Sequence, residues 1–272
     1  MKLKLLAIVC GLAMSAGAHA FSLGGYAGPI KIKFANYENI DSVAGTPCGL
    51  PSVGCINYGI LAVTAVTDNL NNILWASGNL GEYISGIFNG ITITTSSGST
   101  VNSSGGVVKL FLNTVPLAPA LGTGGYVGPV GGLTYTSVNF GAGTTVVPFL
   151  DLAMVPGCGV GNPETVCGNF TTLTAPFTGA VTASYLQVLG GTADTMFNTN
   201  AFTTGVGLNA DLFAQNTFCP NGAITCGPTV GDWQLLSDDP IRGAVVLPEP
   251  ASLALVGLAL FGMGALARRR KS

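Results

Sequence analysis

Charge is what this chain has least of. Only 8% of its 272 residues are Asp, Glu, Lys or Arg, and it has one histidine, His19. His19 lies in an N-terminal segment that reads as removable, so the mature chain would have none. That excludes a Ser-His-Asp or Cys-His device and any His-ligated zinc, copper or iron site. Positive charge is scarcer still between the two ends: Lys31, Lys33, Lys109 and Arg242 stand against eleven acids, a net of −7. A body this acidic offers no electrostatic footprint for nucleic acid. Sustained amphipathic helices are also missing, and uncharged apolar runs of helix length occur only at the two ends.

The ends read as addresses. Lys2 and Lys4 precede an apolar run, Leu5–Ala18, and Ala18-His19-Ala20 has the small-x-small form of a cleavage site. Residues 1–20 are therefore predicted to be a secretory signal peptide, cut by signal peptidase after Ala20. At the other end Ala251–Ala267 has no charge over 17 residues, about the lower limit for crossing a bilayer. Arg268, Arg269, Arg270 and Lys271 follow at once and would hold that side in the cytoplasm. Just before the helix, Pro248-Glu249-Pro250 fixes an extended, exposed peptide that neither strand nor helix can continue through.

The stretch "VLPEPASLALVGLALFGMGALARRRKS" resembles the PEP-CTERM sorting signal of exopolysaccharide-producing Gram-negative bacteria. Pro248, Glu249 and Pro250 match the motif, 251–267 its transmembrane helix and 268–271 its basic end. The resemblance implies recognition by an exosortase, a membrane transpeptidase. It also implies transient anchoring in the inner membrane with the body in the periplasm, then release to the cell surface or matrix. The segments "NILWASGNLGEYISGIFNG", "SSGGVVKLFLN", "LQVLGGTADTMFNTNAF" and "DWQLLSDDPIRG" are further similar to flocculation-associated PEP-CTERM proteins. That implies a matrix protein aiding cell aggregation.

Residues 21–246 form the exported body, with residues 247–272 as the sorting signal. Its six cysteines fall in close couples: Cys48/Cys55, Cys158/Cys167 and Cys219/Cys226. Fifteen connectivities are open, and pairing between neighbours across turn-like segments is the simplest. Zinc is disfavoured because spacings of six and eight residues exceed the usual two to four.

The body reads as all-β, a sandwich or barrel. Pro29–Asn36 alternates Ile30, Ile32 and Phe34 against Lys31 and Lys33, a half-buried strand. Tyr58–Asp68 and Asn72–Gly78 read as a hairpin across an Asp/Asn turn. Further strands are expected at Ile91–Thr95, Gly106–Asn113, Leu133–Phe140, Thr144–Val155, Phe177–Gly190 and Gly231–Ser237. Gly81–Gly90 has helical spacing, but its glycines favour a strand pair. The echo of "GGYAGPI" in "GGYVGPV" raises two modules, with one domain preferred.

Chemistry is thinly marked. Carboxylate pairs such as Glu38/Asp41 or Asp238/Asp239 are available for a polysaccharide hydrolase, but no sequence feature singles one out. Asp68, Asn69 and Asn71 form a weak oxygen cluster for calcium, without the glycine and distal glutamate of a calcium loop. Gly205–Ala210 matches a phosphate-loop pattern outside any strand–helix context. Trp75, Tyr83 and Trp233 are stacking candidates for sugar rings, more naturally read as core. The expectation is a non-enzymatic, extracellular protein of the exopolysaccharide matrix, biofilm or floc, with no cofactor or metal. Extracellular polysaccharide is its expected partner, and a polysaccharide-active hydrolase is the alternative.

Overall fold

The computed structural model describes residues 21, 23–48, 51–117, 146–169, 180–220, 233–237 and 240–247. The signal peptide, the tail from residue 248, the strand expected at 133–140, the second Gly-Tyr echo, Asp238, Asp239 and Cys226 lie outside them.

Thirteen strands are described: β1 (Gly28–Asp41), β2 (Ile56–Asp68), β3 (Ile73–Ala76), β4 (Tyr83–Ser97), β5 (Thr100–Asn113), β6 (Val146–Val155), β7 (Val166–Asn169), β8 (Ala180–Gly190), β9 (Phe202–Thr203), β10 (Asn209–Ala210), β11 (Leu212–Pro220), β12 (Leu235–Ser237) and β13 (Ile241–Val245). A single short helix, α1 (Asp194–Phe197), is described with them. All the pairings are antiparallel, in the order β1-β13-β11-β8-β6-β5-β4-β2, and β2 pairs back onto β1. The sheet is therefore a closed barrel with eight staves.

Two staves are each built from a pair of short strands. Between β5 and β8, β6 fills one half and β7 the other. Between β1 and β11, β13 and β12 divide the space in the same way. Eleven of the described strands thus belong to one sheet, and β9 and β10 form a separate two-stranded one.

The alternation seen in the sequence of β1 builds the wall. Ile30, Ile32 and Phe34 are buried, Lys33 is exposed and Lys31 half-buried. β2 and β3 form the expected hairpin. Gly81–Gly90 is corrected: it is neither helix nor strand pair. A short 3-10 turn at Asn79–Gly81 leads into β4, one continuous strand that also contains the segment expected as a separate strand at 91–95. Gly86 is mid-strand because β5 passes close by. A Cβ there would lie 2.4 Å from the Lys109 carbonyl oxygen, so the glycine serves close approach rather than a turn.

The barrel has two distinct ends. At the near end, β1 begins and β13 finishes, with Gly28 opposite Val245. Phe21, Trp75, Phe149 and Phe197 close it as an aromatic plug, Phe21 and Phe149 at a ring separation of 4.8 Å. Asp211, fully buried, ties this end together. Its carboxylate accepts backbone N–H bonds from Val188, Thr199 and Asn200, each at 2.7 Å. The far end carries the cysteines. Cys48–Cys55 and Cys158–Cys167 are disulfides, and Cys219 is disulfide-bonded as well.

Candidate functional site

Two places bear on function: the point where the barrel hands over to the tail, and the barrel's interior.

The handover is abrupt. β13 ends at Val245, and the Val246 N–H donates to the Met196 carbonyl at 3.0 Å. Val246 and Leu247 are then half exposed. Every described strand of the barrel is complete before Pro248, so only Val246 and Leu247 separate the end of β13 at Val245 from Pro248-Glu249-Pro250. The sorting residues Pro248, Glu249, Pro250 and Arg268–Lys271, and the cleavage residues Ala18 and Ala20, lie outside the described residues.

The interior is lined by apolar side chains with a polar cluster toward the far end. Glu38 is its centre, only 1% exposed. Asn57 Nδ2 donates to its Oε2 at 2.7 Å, Asn36 Nδ2 donates to its Oε1, and the Ser237 hydroxyl donates to Asn36 Oδ1. Burial pushes the Glu38 carboxyl from its ordinary 4.5 up to about 7, against the opposing effect of the Asn57, Asn36 and Ser237 hydrogen bonds. Ser103, Thr182 and Ser184, all buried, line the same space.

Asp41, the other member of the expected carboxylate pair, is not in this space. Three residues along a strand, it points to the opposite face of the sheet from Glu38. There Tyr58 OH donates to Asp41 Oδ2 at 2.6 Å, and the Gln234 N–H donates to Asn39 Oδ1 at 2.9 Å. Burial first, and then the bond to Asp41, raise the Tyr58 phenol to about 12. Glu38 and Asp41 thus stand on opposite sides of the wall and cannot flank one glycosidic bond.

The other candidates resolve into structure. Asp68 accepts from the Leu70 and Asn72 N–H groups, both at 2.8 Å, and from Asn72 Nδ2 at 2.7 Å. Those bonds, the Asn72 side chain first, lower its pKa. Lys31 Nζ donates to Asn71 Oδ1 and the Asn69 carbonyl, so the oxygens proposed for calcium close a hairpin turn. Trp75 and Trp233 are 2% and 3% exposed, so neither offers a face to a sugar; Tyr83 is half-buried. Of Gly205–Ala210, Gly205–Leu208 lie in the turn between β9 and β10, and Asn209–Ala210 is β10 itself.

Asn57, Asn216 and the interior hydroxyls were not marked in the sequence as site residues. One signal was available: the inward parity of β1 runs on from Phe34 through Asn36 and Glu38 to Ile40, placing polar residues on an apolar face.

Residues 246–271 match the family model of the PEP-CTERM protein-sorting motif. The match opens at Val246, whose N–H is bonded to the Met196 carbonyl of α1. The chain carries a PEP-CTERM signal and is an exported protein sorted by an exosortase. No curated protein and no solved structure matches the chain.

Proposed function

We propose that this chain is a non-enzymatic component of the extracellular polysaccharide matrix, delivered by the exosortase route and active in cell aggregation or floc formation. The observation that carries the reading is the PEP-CTERM motif beginning where the barrel ends. The body's net negative charge, the absence of histidine from residues 21–272 and the separation of Glu38 from Asp41 support it.

The test removes the gene and follows aggregation and matrix texture, while the purified exported form is assayed for binding to the strain's own polysaccharide. Reduced aggregation with measurable binding is expected. Unchanged aggregation without binding overturns the reading. Turnover of that polysaccharide by the purified protein, abolished by one Asp or Glu change, replaces it with a hydrolase.

A further inference from the structure

The sorting signal says nothing of the cavity, about 90 Å³, inside the barrel. An eight-stranded barrel is just wide enough to be filled by side chains or to hold one small ligand. This one is not filled. Phe34, Leu61, Phe88, Leu186 and Ala214 form apolar wall. Two amide oxygens in the lining, Asn57 Oδ1 on β2 and Asn216 Oδ1 on β11, are buried without a hydrogen-bond partner. Native proteins seldom leave such acceptors bare, and both call for a donor from an occupant of the cavity.

We propose that the barrel interior binds a small, mainly apolar molecule with a neutral hydroxyl head, whose O–H is received by Asn57 Oδ1 or Asn216 Oδ1. A carboxylate or phosphate head would have to be buried without a cation, since no Lys or Arg stands among the described lining residues. An ammonium head would need an ionised partner, and both Glu38 oxygens already accept from Asn36 and Asn57 while burial favours the uncharged acid. The volume sets the size. It is several times the ~10–15 Å³ that one water needs and below the ~150 Å³ of a cavity that admits benzene. A two- or three-carbon alcohol, smaller than benzene, fits both limits.

The test uses the exported, processed protein, isotopically labelled for amide NMR, titrated separately with 1-propanol, propylamine and propane. Saturable shifts with 1-propanol at the amides of Asn57, Leu186 and Asn216 are expected. Propane, which lacks the donor, should bind roughly tenfold more weakly, the worth of one good hydrogen bond. Asn216→Leu should weaken 1-propanol to a similar degree, and Ala214→Leu, which fills the cavity, should abolish its binding. Absence of saturable shifts with 1-propanol overturns the proposal and leaves an interior that holds water. Propane binding as tightly as 1-propanol, or propylamine doing so, overturns the head-group assignment. Should Asn216→Leu fail to fold, the comparison of 1-propanol with propane in the unaltered protein decides alone.

Discussion

Gly28 and Val245 face each other across an antiparallel pair, so the strand that opens the barrel and the strand that completes it meet at one rim. The segments that precede Phe21 and follow Leu247 are therefore joined to the body at the same end. Glu38 lies ten residues along β1, roughly 30 Å at the rise of an extended strand. The polar interior is thus remote from both processing points.

The first prediction concerns the tail. Replacing Pro248, Glu249 and Pro250 by alanine should leave the protein in the membrane fraction with its C-terminus intact. The unaltered chain should be found outside the cell, starting at Phe21 and ending near the motif. Intact masses of the two fractions, with both termini sequenced, check this. Full-length protein ending at Ser272 in the extracellular fraction would contradict it.

Phe21 is the second. It is 8% exposed and packs on Trp75 and Phe149. Phe21→Ala removes a wedge from the near-end plug and should cost about 3–5 kcal/mol. Denaturant unfolding of the exported form measures it, and a loss below ~1 kcal/mol would mean that the plug is held by its other rings.

Asp211 gives the third. Its carboxylate is fully buried and gathers three backbone N–H groups, that of Val188 buried and those of Thr199 and Asn200 part-buried. Asp211→Ala should destabilise the fold by about 1–3 kcal/mol or more, because an orphaned buried donor costs about that much. Asp211→Asn, which keeps an acceptor, should lose less.

A fourth prediction follows from Glu38. Its folded-state pKa, about 7, lies above the ordinary 4.5, so between these values the native state holds the proton that the unfolded chain has released. Stability should fall as pH rises through this window and level off above it, by on the order of 3 kcal/mol in all. Glu38→Gln should flatten this part of the profile. Thermal unfolding of both proteins across the window settles the sign, and a rise with pH specific to the unaltered protein would refute the assignment.

The strands were legible where period two and burial agreed. Ile30, Ile32 and Phe34 against Lys31 and Lys33 placed β1, and the Asp68 turn placed the β2–β3 hairpin. Gly86 misled because a glycine that admits a neighbouring backbone looks, in sequence, like one that ends a strand. Barrel closure was left open beside the sandwich because it depends on β1 pairing with β2 on one side and with β12 and β13 on the other, contacts far apart along the chain. Of the candidate site, the sorting tail was fully legible, since it is a contiguous peptide read in extended form. The interior was not. Glu38 and Asn216 come together only when β1 and β11 are curved into one wall, and Asp41 seemed its natural partner until the strand's alternation put it outside.

The cysteines at the far end have a consequence for survival outside the cell. Proteases attack exposed loop tips whose backbone can open locally. The near rim is shielded by aromatic packing and the bond from Val246 to Met196, whereas the far rim carries the loops that close on Cys48–Cys55 and Cys158–Cys167. A cut inside either of these two loops leaves ends that stay covalently attached. A molecule cut loose from its tether can thus be scarred on its outward face and still hold together as one barrel.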